Sequence, residues 1–377
     1  MVIWVFLLIA TFILELCLLA IPSRKSADKV RWSRLTVPAI ILGAIVVYGI
    51  VDRMNAMMVA LHLCVYLLFA MVADAVAVAV THNKENSRGT ARIWIAAAVA
   101  CAVWLGIGWF SVHHVWRTDY RLTTGKSLAG LHQTDAGDSA DSAAGTLRIA
   151  QVTDTHIGVT MDGDDLAEQL ARVLEAKPDL VVVTGDFTDE DTPREDMVSA
   201  CKALGAIVDK VPYGVFFVYG NHDCDCNGHF TTEELDAELR ANGVVVLRDE
   251  TVTIADRIVV IGRRDASESR MRMAELMKGV DTSKFILVLD HQPCDFAAEE
   301  AAGVDLVLTG HTHGGQVIPL GLASKLLPSL FGDADYMYGL SIRNGTGCIV
   351  SSGMSSWKIK FKTGTVSEFV IIDVKEK

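Results

Sequence analysis

The stretch Leu147-Arg148-Ile149-Ala150-Gln151-Val152-Thr153-Asp154-Thr155-His156 joins a short apolar run to a carboxylate and an imidazole. Residues 147–152 have the composition of a β-strand, and Asp154 and His156 follow at its end. Successive side chains of an extended backbone point to opposite faces, so two residues that are two apart face the same side. The segment therefore predicts a strand that delivers two side chains of metal-binding types to one point.

Four further polar motifs each begin where an apolar run ends. Together with the first motif, they contain five of the eleven histidines in the chain. Each motif alone carries little weight, since an Asp after a strand commonly makes a turn or a helix cap. The ordered set points to a two-metal centre of the kind that hydrolyses phosphate esters. The four motifs are Gly185-Asp186, Gly220-Asn221-His222-Asp223, His291, and Gly310-His311-Thr312-His313.

The residues between these motifs alternate between strand and helix patterns. Continuous apolar strands that alternate with helices predict an α/β fold with sheets covered on both faces, and ligands bind at the carboxyl ends of such strands. Two short β-branched runs, 244–247 and 251–261, predict a hairpin, and 347–374 is rich in β-forming residues. The predicted strands are 147–152, 179–183, 215–218, 285–289 and 306–308; the predicted helices are 164–176, 194–208, 231–242 and 295–302.

The motifs offer different chemical groups to such a site. The carboxylate of Asp186 can bridge two ions, which two-metal sites hold roughly 3.5–4 Å apart. Asn221 can offer its amide oxygen to a metal. His222 can donate a proton to a leaving oxygen or bind the phosphate, and Asp223 can orient His222. A lone histidine such as His291 is more often structural than a ligand.

The loop with His311 and His313 is the most specific of the five motifs. Two histidines that are two apart can reach different ions, and flanking glycines let the backbone approach a phosphate or a metal closely. A loop that carries two histidines between glycines has little structural rationale. We therefore interpret it as part of the site.

Taken together, the five motifs resemble the pattern of the calcineurin-like metallophosphoesterase superfamily. That pattern is D-x-H, G-D, G-N-H-D/E, a lone H and G-H-x-H, and all five parts occur in order within 154–313. The segments 290–293, 310–316 and 359–364 are also similar to the membrane-associated bacterial branch of the family. The likeness covers roughly 147–374.

The resemblance implies a four-layer α/β/β/α sandwich and a dinuclear centre, in which a hydroxide between two divalent ions attacks phosphorus. It also implies that His222 is the catalytic histidine with Asp223 behind it. Mixed Asp, His and Asn ligation suits Mn, Fe or Zn, so the metal stays open. The implied ligands are Asp154, His156, Asp186 and His313 for one ion, and Asp186, Asn221, His291 and His311 for the other.

Residues 1–116 have the composition of a membrane region. A helix needs roughly 20 apolar residues to cross the hydrocarbon core, and the second of the four apolar runs falls short of that. The first run lacks a basic start and a small-x-small cleavage site, so we interpret it as a retained span rather than a signal peptide. About four transmembrane helices are predicted, over the apolar runs 2–21, 35–51, 56–80 and 93–115.

The distribution of basic residues predicts the orientation of these spans. The loops after the first and third spans hold eight Lys or Arg, against four on the other side. By the positive-inside rule the two basic loops face the cytoplasm, which places the catalytic domain outside. Residues 117–146, rich in Gly, Ser, Thr, Asp and Ala, are predicted to form a flexible linker to a catalytic domain over 147–377.

The charge of the chain argues against a nucleic-acid groove. The 377 residues carry a net charge of −12, with 51% hydrophobic residues. Residues 117–377 contain 25 Lys or Arg against 41 Asp or Glu, whereas nucleic-acid grooves are basic. Arg263, Arg264 and Lys325 could contact substrate, but a solvated surface position is expected for each. Cys224 and Cys226 are too close for an ordinary disulfide and lack a second pair for a zinc knuckle.

Three functions fit these features. The leading hypothesis is a membrane-anchored phosphodiesterase or phosphomonoesterase that acts on an envelope substrate such as a phospholipid, a lipid-linked pyrophosphate or a wall polymer. An inverted topology would make the chain a nucleotide phosphohydrolase that faces the cytoplasm. The third candidate is not an enzyme: it is a non-catalytic metal-binding sensor or scaffold coupled to the membrane bundle. The complete ligand set and His222 favour the enzyme, since a sensor has no use for a proton donor.

Overall fold

The computed structural model describes residues 31–81, 90–131, 145–224, 228–318 and 336–377. They fall into two compact units, Met1–Trp109 and Phe110–Lys377. The predicted span at 2–21 lies outside the described residues, as do Cys226 and Lys325.

Three helices are described in the N-terminal region: α1 Arg31–Val51, α2 Arg53–Thr81 and α3 Thr90–His113. The stretches Arg53–Thr81 and Ala91–His113 are long and apolar enough to cross a membrane, whereas the apolar part of α1 is shorter, at Thr36–Val51. Asp52 separates α1 from α2, and its carboxylate accepts hydrogen bonds from the backbone and side-chain nitrogens of Asn55 at 3.1 and 2.8 Å. Apolar side chains point outward from these helices, as Ile50 does at 80% exposure. Such a surface suits lipid rather than water.

Two six-stranded sheets form the core of the second unit. The first sheet has the order β1-β12-β2-β3-β4-β5, with β1 Val115–Thr124, β2 Thr146–Val152, β3 Leu180–Thr184, β4 Val215–Val218, β5 Val245–Val246 and β12 Ser367–Glu376. The second has the order β10-β11-β9-β8-β7-β6, with β6 Glu250–Ile254, β7 Ile258–Gly262, β8 Phe285–Leu289, β9 Leu306–Thr309, β10 Gly339–Arg343 and β11 Thr346–Val350. Strands β2 to β5 are parallel, and so are β7, β8, β9 and β11.

Within the described ranges of this unit, five α-helices connect the strands: α4 Gly163–Glu175, α5 Arg194–Val208, α6 Thr232–Ala241, α7 Met273–Leu276 and α8 Phe296–Ala301. Capping boxes fix the start of two of them. Asp162 accepts from the backbone N–H of Asp164 and Asp165 at the start of α4, and Thr231 accepts from Glu234 N at the start of α6. Each cap satisfies backbone donors that would otherwise have no partner at the helix end.

Three separate hydrophobic clusters show that the unit has four layers. One cluster joins α4, α5 and α6 to the outer face of the first sheet, and it includes Leu170 and Val181. A second lies between the sheets and includes Val182 and Leu287. A third joins α7 and α8 to the outer face of the second sheet through Phe296 and its neighbours. Alternate residues of β3 face different clusters, so both faces of the strand are buried. The predicted α/β/β/α sandwich is confirmed.

The start of the predicted flexible linker is wrong, because residues 117–124 belong to strand β1. This strand runs parallel to β12, from the pair Val115↔Ser367 to the pair Thr124↔Glu376. Its interior residues alternate strictly between half-buried and exposed, and Tyr120 and Leu122 pack on the cluster between the sheets. That alternation was hidden by the polar composition of 117–146 as a whole. Leu128 and Leu131 are buried as well, and Thr146 begins β2. Residues 132–144 lie outside the described residues, so only that part of the linker stays a prediction.

The predicted hairpin is correct only within its second run. Strands β6 and β7 pair antiparallel inside 250–262, and Ala255 and Asp256 make the turn with φ values of +49° and +56°. The first run does not join them. Strand β5 instead pairs in parallel with β4 and belongs to the other sheet.

Arg263 is buried rather than solvated, with its side chain only 1% exposed. Its guanidinium lies 3.1 Å from Asp290, 3.0 Å from Glu299 and 2.8 Å from Asp295. Burial and the charge of Asp290 raise the pKa of Glu299 to about 8. A planar guanidinium can serve three carboxylates at once. The network therefore anchors Asp290, and with it the strand end that carries His291.

We expect a fragment that starts at residue 147 to be less stable than one that starts at residue 110. The shorter fragment loses β1, which leaves the ladder groups of β12 unpaired, and it also loses the buried residues Leu128 and Leu131. Burial of these two leucines alone is worth roughly 1.5–3 kcal/mol each. Urea unfolding followed by circular dichroism should show a deficit of at least about 3 kcal/mol for fragment 147–377. Equal stabilities would mean that β1 is not part of the folded domain.

Candidate metal centre

The five polar motifs meet where the two sheets face each other at the carboxyl ends of their parallel strands. Gln151 of β2 donates to the carbonyl of Thr309 in β9 at 2.9 Å, which joins the two sheets there. The backbone N–H of Asp154 donates to Gly185 O at 3.0 Å, and Gly310 N donates to His291 O at 2.9 Å. Loops from different strands are thus held side by side by their own backbone groups.

The site residues adopt backbone conformations that are unfavourable for residues other than glycine. A positive φ costs such residues roughly 1–2 kcal/mol. Backbone contacts at the site hold these conformations, such as the bond of 3.1 Å that His156 N donates to Asp186 O. Five of the predicted ligands have positive φ: Asp154 (51°), His156 (39°), Asp186 (47°), His311 (70°) and His313 (48°).

Two glycines are required by close approach to the carboxylates. A Cβ atom at Gly220 would collide with the side chain of Asp186, and one at Gly310 would collide with that of Asp154. Neither carboxylate can move away, because each already accepts hydrogen bonds from backbone N–H groups. The glycines of these two motifs therefore serve the packing of the acidic groups.

One group of predicted ligands consists of Asp154, His156 and His313, and all three are buried. The Nε2 atoms of the two histidines lie 3.1 Å apart, and His313 Nε2 lies 3.5 Å from Asp154 Oδ1. The Nδ1 atom of His156 faces Asp189 Oδ2 at 3.2 Å. That carboxylate orients the ring, so Nε2 is the nitrogen directed into the site.

A second group consists of Asp186, His291 and His311. His291 Nε2 lies 3.1 Å from Asp186 Oδ2 and 3.3 Å from His311 Nδ1. His291 Nδ1 lies 2.9 Å from the carbonyl of Thr184, which can only accept, so Nδ1 is the donor. The lone His291 of the sequence thus has a second hydrogen bond of the kind that orients metal-binding imidazoles.

Asp186 lies between the two groups. Its Oδ2 atom is 3.1 Å from His291 Nε2 and 3.6 Å from His156 Nε2, and its Oδ1 atom accepts from His222 N at 2.9 Å. This is the position that a bridging carboxylate would need. Asn221 precedes His222, and its Oδ1 atom is buried without a hydrogen-bond partner among the residues that the structure describes.

The residues fit a pair of divalent cations. Asn221 Oδ1 and His313 Nδ1 are buried polar atoms with no partner in the described part of the chain, and such atoms are rare unless a ligand satisfies them. Two imidazole nitrogens that face each other at 3.1 Å also need a proton or a cation beside them. Nitrogen and oxygen donors in this mixture suit Mn, Fe or Zn.

Burial and the neighbouring charges set the pKa values in the site. Burial and the charge of His291 lower the pKa of His311 to about 4. Burial and the charge of His156 lower the pKa of His313 well below its usual value. Burial opposes ionisation of Asp186, but His291 and His156 outweigh it and lower the pKa of that carboxyl. Burial opposes the charge of His156 and His291, but the carboxylates of Asp189 and Asp186 outweigh it and raise both pKa values. Metal binding would displace those protons, since neutral imidazoles and ionised carboxylates are the forms that bind metals.

The partner predicted for His222 differs from the one in the structure. Asp223 accepts from Thr188 N at 2.8 Å, Thr188 Oγ1 at 3.0 Å and Gly220 N at 2.9 Å, which ties together the loops after β3 and β4. The carboxylate beside His222 Nδ1 is Glu190, with Oε1 at 3.1 Å. A short 3-10 helix, His222–Cys224, turns the adjacent side chains away from each other.

Sequence reasoning missed Asp189 and Glu190, which lie in the same loop as Asp186. With His222 they make a third group of possible ligand atoms within 4.8 Å of one another. The rule that selected Asp186, a carboxylate after the end of a buried strand, applies equally to these two residues. Without the fold, however, nothing separates them from ordinary turn residues.

Comparison with known proteins places the motifs in a family context. Residues 147–315 match the family model described as calcineurin-like phosphoesterase. An uncharacterized metallophosphoesterase of Aquifex aeolicus is 32% identical over 238 residues, covering 61% of this chain and 86% of that protein. One of Campylobacter jejuni is 28% identical over 236 residues, but this chain spans only 60% of its length.

A further relative and a solved structure also match. The protein of Danio rerio named "Transmembrane protein with metallophosphoesterase domain" is 29% identical over 248 residues, covering 61% of this chain and 53% of its own length. A crystal structure of a Thermus thermophilus protein, TT1561, matches with a TM-score of 0.38 and 11% identity, over 56% of this chain and 91% of that one.

Helices α2 and α3, together with relatives that are named transmembrane proteins, indicate association with a membrane. The family assignment is independent of that region, because the match begins at residue 147. On the family model and on the likeness to most of the Aquifex protein, this chain belongs to the calcineurin-like metallophosphoesterases.

Proposed function

We propose that this protein is a membrane-anchored, metal-dependent hydrolase of phosphate esters. The observation that carries the proposal is the arrangement of two ligand groups on either side of Asp186, with His222 at their edge. The ligands would be Asp154, His156, Asp186, Asn221, His291, His311 and His313, as the sequence motifs indicate. Divalent ions held there would neutralise charge on the phosphoryl oxygens and lower the pKa of water.

We expect His222 to serve the leaving group. In hydrolysis a water oxygen forms a bond to phosphorus, the bond from phosphorus to the leaving oxygen breaks, and that oxygen takes up a proton. The His222 ring lies 5.1 Å from the His156 ring, measured between centroids, and its side chain is 14% exposed. Because Glu190 faces Nδ1, Nε2 is left to hold the proton for the leaving oxygen.

The burial of the ligand groups supports this role. Asp154, His156 and His291 are fully buried, whereas His222 is partly exposed. Exclusion of bulk water strengthens every electrostatic contact with the phosphoryl group. A substrate would thus bind with its phosphate towards the histidines and its leaving group towards His222.

The membrane region suggests where the substrate is. A site tethered by α2 and α3 favours an ester held at the membrane, such as a phospholipid, a lipid-linked pyrophosphate or another envelope phosphodiester. The excess of basic residues in the loops after the first and third spans favours an extracytoplasmic catalytic domain.

We expect the purified full-length protein to hydrolyse bis-p-nitrophenyl phosphate with added Mn and to lose this activity with a chelator. Asp186→Asn should lower kcat/KM by about 1,000-fold or more, because one carboxylate serves both groups. It should also lower the metal content per chain. Asp256→Asn, which changes an exposed partner of Lys284, is the matched control. A folded protein that binds metal but turns over no ester with any divalent ion would support the sensor or scaffold instead.

His222→Asn should slow esters with poor leaving groups more than esters with good ones. A phenoxide needs a proton as it leaves, whereas a p-nitrophenoxide is stable without one, and general acid catalysis is typically worth about 100- to 10,000-fold. We expect a loss of at least about 100-fold for phenyl esters and a clearly smaller loss for p-nitrophenyl esters. His229→Asn, at an exposed histidine, should change neither rate. Equal losses for both esters would argue against proton donation by His222.

The orientation can be tested with a tag after Lys377, which is exposed. We expect added protease to remove the tag from intact cells, since the basic loops are predicted to face the cytoplasm. A tag inserted at residues 84–88 should be cleaved only after the cells are permeabilised. The reverse pattern would favour a nucleotide phosphohydrolase that faces the cytoplasm.

A further inference from the structure

Beside His222 lies a group of contacting side chains that the proposed hydrolysis leaves unexplained. The ring of Trp357 lies 5.4 Å from the ring of His222, measured between centroids, with an angle of 38° between the planes. Lys358 Nζ lies 5.8 Å from the centroid of the Trp357 ring and 3.4 Å from Glu190 Oε2. Because Glu190 also contacts His222, each of these four residues touches two of the others. We call Trp357 and Lys358 the indole subsite.

Trp357 is fixed relative to the metal ligands by its backbone. Its N–H donates to Gln316 Oε1 at 3.3 Å, and its carbonyl accepts from Gln316 Nε2 at 3.2 Å. Gln316 follows the short 3-10 helix that starts at His313. Farther along the chain, the side chains of Ile359 and Phe361 are buried. The segment that carries Trp357 is therefore hydrogen-bonded to the loop that carries His313, which fixes the indole relative to His313.

Stability alone does not explain a tryptophan at this position. Its Nε1 atom is buried and has no hydrogen-bond partner within the described ranges, although a buried indole N–H normally finds one. Lys358 adopts φ +52°, a conformation that is unfavourable for a side-chain-bearing residue. Both features are unfavourable for folding. Such costs are characteristic of residues retained for what they bind.

The charges of the subsite make it unsuited to recognise the phosphate itself. The ammonium of Lys358 lies against the carboxylate of Glu190, so the two charges largely cancel. Lys358 and Glu190 are partly exposed, at 32% and 16%, whereas the ligand groups behind them are buried. The indole is half-buried beside His222, and a planar ring can stack on the part of it that His222 and the ammonium of Lys358 leave uncovered. Aromatic faces bind planar rings by stacking, with little dependence on the identity of the ring.

We propose that Trp357 and Lys358 form a leaving-group subsite that favours phosphate esters whose leaving group carries a flat ring. The inference rests on the proposed function, because His222 is what defines the leaving-group side. The ring could belong to an aryl alcohol or to the base of a nucleoside; both present the same planar face to the indole. Lys358 holds Glu190 and, through it, the ring of His222 beside the stacked group.

The test compares non-hydrolysable ligands that differ only in the flatness of the ring. Benzylphosphonate and cyclohexylmethylphosphonate both replace the leaving oxygen by a methylene group. Calorimetry on the Mn-loaded full-length protein should show that benzylphosphonate binds roughly 5-fold or more tightly than its saturated counterpart. The second arm compares a nucleoside 5′-methylenephosphonate with the same compound without its base. Tighter binding of the nucleoside compound would show that a base carried on a sugar reaches the indole.

Two size-matched variants separate stacking from packing. Trp357→Leu removes the flat face and should bring the affinity ratio close to one, whereas Trp357→Phe should retain most of it. Trp116→Leu is the control, since this tryptophan lies in β1 against Phe110 and His114. Metal content and circular dichroism establish that each variant is folded. Lys358→Ala should leave the ratio above one but lower kcat for phenyl esters, through the loss of support for Glu190 and His222.

The outcomes for the subsite and for the hydrolase can be told apart. Hydrolysis by the wild type with a ratio near one in both arms, or a ratio that survives in Trp357→Leu, would overturn the subsite and leave the hydrolase standing. No hydrolysis by the wild type would overturn the leaving-group assignment together with the proposed function. A ratio that depends on Trp357 in an active protein would support both. If only the nucleoside arm discriminates, the ring that binds is a base carried on a sugar.

Discussion

The burial of two carboxylates, Asp154 and Asp186, is the constraint on which the rest of the structure depends. An ionised carboxylate out of water costs several kcal/mol unless other groups compensate its charge. The compensating donors are backbone N–H groups from other loops: His311 N for Asp154 and His222 N for Asp186. Loops that bring these donors so close must turn through positive φ, and they leave no space for a Cβ at Gly220 or Gly310. The histidines complete the compensation and make the same carboxylates usable by metal ions.

A second ring of polar groups holds those loops in place. Lys362 is buried, and burial lowers the pKa of its amine to about 7. Its Nζ donates to the carbonyls of Ser352 and Gly353 at 2.6 and 3.1 Å, and Gly353 packs directly on Asp154. Arg263 does the equivalent for the strand end of His291 through Asp290. In both cases a buried basic side chain fixes the backbone next to a candidate ligand rather than touching the site itself.

Features that depend on neighbouring residues could be predicted from the sequence, whereas those that depend on distant ones could not. The motifs at 154–156 and 310–313 follow apolar strands directly, so their convergence at one sheet end follows from strand direction alone. Strand β1 depends on residues about 250 positions away, and its own composition resembles a linker. Asp223 was predicted to be the partner of His222 because the two residues are adjacent in sequence. The chain turns there through a 3-10 helix, however, and Glu190 contacts the His222 ring instead. Arg263 was expected at the surface because its three carboxylates come from separate segments.

The pairing of β1 with β12 also determines when the centre can form during synthesis. Strand β12 lies between β1 and β2, so residues 367–376 occupy the interior of the first sheet although they are made last among its strands. Contacts between such distant segments form late in folding. Glu368 N also donates to Gly353 O at 2.9 Å and so secures the segment against Asp154. Until then β1 has no partner, and its exposed residues Arg117, Asp119 and Arg121 keep the open edge soluble. A nascent chain that has not yet released residues 367–376 from the ribosome therefore lacks both the strand that joins β1 to β2 and the contact that secures Gly353 beside Asp154.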